Sequence, residues 1–424
     1  LPKPTHGPPP LLGGEAKRVG SGDHREDGMN ETDMKPTQFL NTLSCGARTP
    51  ARYSKHYEAF MVFLLGFILL SVPAAFSHPS ESVPNLPPDI LASKDPIFFD
   101  AVSPGIELVL HDRFKESLLL FEALQKAYPD HPAPYFFKAA TYQSWMSLSR
   151  LKKFQNEFEK NIQLAIEKGK ALLKQENNPW VLFYVGAAYG YRAFNEFRKN
   201  NWINAYFDAK NGVDNFQEAL EEDPKLFDVY LGLGSYHYWR TAKSNFLRLI
   251  TFWIPDKREL GLRQIEFAFK HGAYAPEQAG YNLVAAYFDY GQYKKAMQTL
   301  NRILEKKKTT GLSDLYYKGR LLIEFEQWQE AESVFREILE HLENEEIAST
   351  GYKAECLYWI AALLTKQKKR AEALEFAGMA LTESGKRNAA SELEGPFENF
   401  REIESRLERL HQYLTGEQKG EFYW

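Results

Sequence analysis

Apolar positions along residues 281–381 recur at helical spacing and fall into three helix pairs. In the clearest, the first helix carries Leu315, Gly319 and Leu322, the turn carries Trp328, and the second helix carries Ala331, Phe335, Ile338 and Leu339. The pair before it repeats the pattern with Leu283, Tyr287, Gly291, Tyr293, Ala296, Leu300, Ile303 and Leu304. The pair after it gives Leu357, Ile360, Ala361, Leu364, Ala373, Ala380 and Leu381. Small residues let two backbones approach where helices cross, and large ones between them fill the gap. A period of roughly 34 to 42 residues built this way predicts helical hairpins that bury their faces only by stacking.

The same alternation reaches back to about residue 97 with longer spacing. Gly319 precedes Ala331 by 12 residues, whereas Gly186 precedes Gly212 by 26 and Gly234 precedes Gly261 by 27. Roughly 14 added residues predict about two extra turns on each helix of these hairpins. Pro129, Pro132, Pro134 and Pro224 mark hairpin boundaries, because proline suits a first turn and cannot continue a helix. Past the last ordinary pair, Ser384-Gly385 and Gly395-Pro396 break the chain. A final amphipathic helix over 396–415, with Phe400, Ile403, Leu407 and Leu410 on one face, is predicted to cap the open end.

These residues resemble the tetratricopeptide repeat family, with ordinary helices over 281–381 and elongated ones over 98–272. The resemblance implies an all-α, right-handed superhelical solenoid of about seven antiparallel helix pairs over 97–383, closed by the capping helix. It also implies a concave face lined by first helices, and peptide or protein ligands.

The N-terminal part is of another kind. Residues 1–58 are rich in Pro and Gly and show no helical period. They read either as a disordered tail or as an overextended gene model with its start at Met34. Ala59 to Phe76 is an apolar run of about 18 residues, preceded by Arg48, Arg52 and Lys55. With small residues at Ala75 and Ser77, segment 59–77 predicts a secretory signal cleaved before His78, or else an uncleaved membrane anchor. Either places residues 78–424 outside the cytoplasm, periplasmic or secreted in a bacterium. A Pro-rich linker follows over 78–96.

Composition narrows the function. The net charge is −4, with 52 basic and 56 acidic residues, and no basic face suggests nucleic-acid binding. Two cysteines occur, and Cys45 precedes the apolar run, so Cys356 alone remains in the exported part. It can form no intramolecular disulfide there and reads as a small core residue. No catalytic set, metal-ligand spacing or cofactor motif is found. Gly232-Leu233-Gly234-Ser235 lacks a phosphate-loop lysine, and its glycines fit helix crossings. His237 reads as a hydrogen-bonded packing residue, and Glu221-Glu222-Asp223 as a solvated helix end.

The candidate site is a groove. The concave-facing register selects Phe137, Trp145, Phe183, Tyr191, Tyr238, Trp239, Tyr281, Phe288, Tyr316 and Arg320. Trp145, Tyr191 and Trp239 occupy equivalent places in three successive units. They form either an aromatic ladder for a peptide or glycan-like ligand, or wedges between long helices. A second candidate is the apolar stretch around Phe246, Leu249, Phe252 and Trp253, which either folds back over its hairpin or docks on a partner or a membrane. The expectation is a non-enzymatic exported scaffold. A membrane-tethered assembly factor is the alternative, and a glycan-binding protein or enzyme a more distant one.

Overall fold

The structure is a computed structural model that describes residues 82–84, 90–243, 255–307, 309–344 and 348–418. The segments 1–58 and 59–77, and the stretch holding Phe246, Leu249, Phe252 and Trp253, lie outside the described residues. All the described residues belong to one compact unit, Phe76–Trp424.

Among the described residues the regular elements are fifteen α-helices, with one isolated antiparallel bridge between Leu151 and Glu392. Seven pairs run in chain order: α1 (Phe99–Leu110) with α2 (Phe114–Ala127), α3 (Pro132–Ser149) with α4 (Gln155–Leu173), and α5 (Pro179–Arg198) with α6 (Trp202–Glu222). Then come α7 (Val229–Lys243) with α8 (Arg258–His271), α9 (Pro276–Asp289) with α10 (Tyr293–Lys306), α11 (Leu312–Glu324) with α12 (Trp328–Asn344), and α13 (Thr350–Lys366) with α14 (Arg370–Ser384). The last, α15 (Phe400–Thr415), covers the end. The chain is therefore an all-α helical repeat solenoid.

Local chemistry sets the boundaries. Pro132, Pro179 and Pro276 sit in the first turns of α3, α5 and α9, where a missing N–H costs nothing. The Asn178 side chain caps α5 by accepting from the N–H groups of Trp180 and Val181 at 2.9 and 3.2 Å. Two hairpins cross through paired glycines. A Cβ at Gly186 would stand 3.1 Å from the Gly212 carbonyl, and one at Gly234 would stand 2.7 Å from the Gly261 carbonyl. These are the spacings the sequence singled out.

Helices α3 to α6 hold 18, 19, 20 and 21 residues, against 14, 14 and 13 in α9, α10 and α11. The middle helices are thus longer than α9, α10 and α11 by one to two turns, and longer than α12 and α13, of 17 residues each, by about one turn at most. In the pair α7–α8 the two helices have 15 and 14 residues, and the added residues fall in 244–254, outside the described set.

The capping helix needs one correction. It begins at Phe400 rather than at 396, because the Asn399 side chain accepts from the Glu402 N–H at 3.0 Å and fixes the N-terminus there. Phe400, Ile403, Leu407, Leu410 and Leu414 are all buried. Phe397 lies before the helix, in an irregular strap over residues 385–399.

The core has two parts. One runs from Phe98 through the first five pairs to Leu321 on α11, and the other gathers the rest of α11 with α12 to α15. Cys356 is fully buried in the second. His237 is buried in α7, with Nδ1 2.7 Å from Gln264 Oε1. Asp223 accepts from the Ser93 hydroxyl at 2.5 Å and Glu222 from the Asn177 amide at 2.8 Å, as expected of a helix end.

Candidate functional site

One face of the C-terminal pairs is built from three helices. Tyr316 and Arg320 stand one turn apart on α11, Glu355 and Trp359 one turn apart on α13, and Phe288 lies near the end of α9. The turn after α3 comes into this space from the other end of the chain. Arg150 ends α3 in the left-handed region at φ 53°. Its guanidinium donates to Glu355 at 2.5 Å, across 205 residues, and lies over the rings of Tyr352 and Tyr316 at 3.6 and 4.8 Å. Tyr316 donates its hydroxyl to the other Glu355 oxygen at 2.7 Å, and Trp359 Nε1 approaches that oxygen at 3.3 Å. Burial acts to raise the Glu355 carboxyl, but the Arg150 guanidinium, the Tyr316 hydroxyl and Arg320 outweigh it and hold the group below the usual glutamate range.

The strap occupies the rest. Lys152 donates its N–H to the Ser391 carbonyl and Leu393 donates its N–H to the Arg150 carbonyl, each at 2.8 Å, so the strap pairs with the α3–α4 turn as a short strand would. Glu392 accepts from the hydroxyls of Ser349 and Thr350 at 2.5 and 2.7 Å and from the Gly351 N–H at 2.9 Å, at the start of α13. Burial works to raise this carboxyl too, and those hydrogen bonds prevail and keep it low. Phe397 stacks on Phe288 at 3.9 Å and on Tyr316 at 5.9 Å, bridging the two cores. Arg320 grips Glu398 through two hydrogen bonds of 2.5 and 2.7 Å, and Arg406 adds a third at 3.2 Å.

The residues selected from sequence divide into two sets. Phe137, Phe183, Tyr238, Tyr316 and Arg320 are buried. Phe137 stacks on Phe121, Phe183 on Tyr274, and the Tyr238 hydroxyl lies 2.7 Å from both the Ala286 carbonyl and Asp289. Trp145, Tyr191, Trp239, Tyr281 and Phe288 are half-buried. Trp145 packs on Phe114 and Phe154, Tyr191 on Phe136, and Trp239 on Tyr238, so each sits among the rings of its own neighbourhood. The Tyr281 hydroxyl donates to Asp314 at 2.5 Å.

A pocket of about 390 Å³ opens at the seam where the first hairpin meets the turn between α10 and α11; Phe114, Trp145, Leu148, Lys307 and Leu312 are among the residues lining it. Among the described residues no group of three or more His, Cys, Asp or Glu could hold a metal, and no helix is long and apolar enough to cross a membrane.

Sequence reasoning missed Arg150, Glu355, Glu392, Phe397 and Glu398. One signal was available. Glu392, Glu394 and Glu398 flank an aromatic and a Gly-Pro pair in a stretch with no helical period. Such a stretch invites the question of what holds it.

No family model matches the chain, and no curated protein matches it. It is similar to several solved structures. A Rap protein complexed with competence and sporulation factor shares 14% identity at a TM-score of 0.43, over 68% of this chain and 76% of that one. The C-terminal part of a TPR repeat-containing protein from Cytophaga hutchinsonii shares 17% at 0.33, over 66% and 94%. The P58(IPK) TPR domain shares 14% at 0.21, over 76% and 99%. The helix pairs, crossing at small residues and stacked unit on unit, form an all-α helical repeat solenoid, and TPR proteins are among the solved structures this chain is similar to.

Proposed function

We propose that this protein is an exported, non-enzymatic scaffold that holds a peptide or protein partner along the inner face of its helix pairs. One observation carries the reading. The inner face of the C-terminal pairs takes up an extended segment, the strap, by main-chain pairing, an aromatic stack and a two-pronged arginine–carboxylate contact. Those are the means by which repeat scaffolds and other receptors hold peptides. Phe288 stacks on the strap's Phe397, Trp239 and Tyr281 are half-buried, and aromatic side chains give contact area at low entropic cost. Export rests on the apolar run 59–76 with its preceding basic residues.

The test is photocrosslinking in the organism that makes the protein, with a photoreactive residue at Trp239 or Phe288 and a control at the exposed Leu119. A scaffold gives a discrete crosslinked partner from the inner positions and none from Leu119. Equal labelling everywhere, or none, would sink the proposal.

A second reading, a membrane-tethered assembly factor, has its own observation. Phe194, Trp202, Ile203, Tyr206 and Phe207 are exposed by 44–58% around the turn between α5 and α6. Aromatics of this kind suit a membrane interface or a large partner surface. Flotation with anionic vesicles decides it. This reading expects the mature protein to float, with Trp202→Ser/Phe207→Ser abolishing flotation, and a protein that stays at the bottom contradicts lipid contact.

A further inference from the structure

The strap is held as a receptor holds a ligand. It is joined to the helices at both ends, by Ser384 at the end of α14 and by Asn399 at the cap of α15, and it contains no helix of its own. Its contacts differ from those between repeats. A repeat interface is made of apolar side chains with small residues at the crossings. Here two carboxylates six residues apart are gripped, Glu392 by three successive donors at the start of α13 and Glu398 by arginines converging from α11 and α15. Phe397 enters between Phe288 and Tyr316, beside the Arg320 guanidinium, whose centre is 5.0 Å from its ring. A rigid aromatic anchor next to a two-pronged arginine–carboxylate pair is the composition of an interface hot spot.

The fit is also incomplete. Arg320 Nε and the Tyr358 hydroxyl are buried without a hydrogen-bond partner among the described residues. The arginine so engaged spends two of its nitrogens on Glu398 and leaves the third unmatched. A buried donor without an acceptor costs free energy that an occupant with one more acceptor recovers. The strap therefore holds the face without satisfying it fully, and an external segment of similar chemistry has something to gain.

We infer that residues 388–398 are an internal occupant of the partner-binding face, and that the partner presents an extended acidic segment with an aromatic residue directly before a carboxylate, which displaces them. The inference rests on the scaffold reading and adds the ligand chemistry and its regulation. The tether gives the strap an effective concentration on the order of millimolar, so an outside peptide binds with its affinity reduced by the small fraction of molecules whose strap is open. Contacts that weaken the strap alone must strengthen binding in trans.

The probe is a labelled peptide of the strap's own sequence, residues 388–399, titrated by fluorescence anisotropy into the full chain and into its Phe397→Ala variant. The expected result is binding at least about 10-fold tighter to Phe397→Ala than to the unaltered chain. A peptide with its own Phe and following Glu replaced by Ala and Gln should bind neither. Equal affinity for the two proteins, with circular dichroism showing the variant folded, overturns the inference. Hydrogen exchange on the unaltered chain guards against a variant that does not fold. If the strap is a displaceable occupant, the Leu393 amide exchanges through an opening that leaves α13 and α14 protected. If it exchanges only with global unfolding, the strap is a fixed part of the core and the inference falls. The scaffold reading survives that outcome if crosslinking from Trp239 still traps a partner, so the two failures are distinguishable.

Discussion

His131 shows how one side chain at a helix start couples pH to stability. It caps α3, with Nδ1 accepting from the Ala133 N–H at 3.3 Å, and its ring stacks on Phe98 at 4.1 Å. Burial pushes its pKa down from 6.5 to about 4, with Asp95 pulling weakly the other way. Between those values the unfolded chain takes up a proton that the folded chain refuses. Stability from this group is therefore complete above pH 6.5 and is lost as pH falls toward about 4. The ring is partly open to solvent, so about 1–2 kcal/mol is at stake after screening. His131→Asn keeps a capping acceptor that does not titrate. The urea midpoint of the unaltered chain should fall more steeply between pH 6.5 and 4 than that of the variant, and parallel curves would refute the assignment. Glu355 and Glu392, held low against burial by their donors, add a further loss only once pH falls below the ordinary glutamate range.

Helices were legible in the sequence where a local period existed, and the strap was not. The Gly186–Gly212 and Gly234–Gly261 spacings located two crossings, because only glycine permits a neighbouring carbonyl within about 3 Å of the Cβ position. The same arithmetic led to the extra turns of α3 to α6. The inner register was less legible, because periodicity says which side of a helix is apolar and not what covers it. Tyr316 and Arg320 are buried by a segment from 82 residues beyond Tyr316 and 78 beyond Arg320. That segment carries no period of 2 or 3.6, so nothing in it announces where it lies. The helix expected over 396–415 takes in Phe397, which the structure places before its first turn. The Asn399-Phe400-Arg401-Glu402 run, with a capping residue three positions ahead of a glutamate, was the better indicator of where the helix starts.

At the scale of the molecule, contact between distant units changes how the solenoid should unfold. A repeat array in which each unit touches only its neighbours behaves as a one-dimensional chain and can lose its ends independently. Here the turn after α3 reaches α13 through Arg150 and Glu355, the Ser349 N–H donates to the Ser149 carbonyl at 3.3 Å, and Phe397 joins the two cores. These long-range ties make unfolding of the C-terminal core costly to the N-terminal one, which predicts a single transition for the pair. Arg150→Ala removes the central tie and leaves Glu355 buried without its main partner, a change that typically costs about 3–5 kcal/mol. The expected outcome is more than a lower midpoint. Tryptophan fluorescence and far-ultraviolet circular dichroism, coincident for the unaltered chain in urea, should separate in the variant as α11 to α15 melt before the long hairpins. Replacing both partners, Arg150→Met with Glu355→Leu, should recover much of the stability, since a buried ion pair gains little over well-packed apolar residues. If Arg150→Ala instead shifts both probes together, the Phe397 stack and the apolar contacts of α9 to α12 suffice to couple the two cores, and the Arg150–Glu355 tie contributes stability without cooperativity.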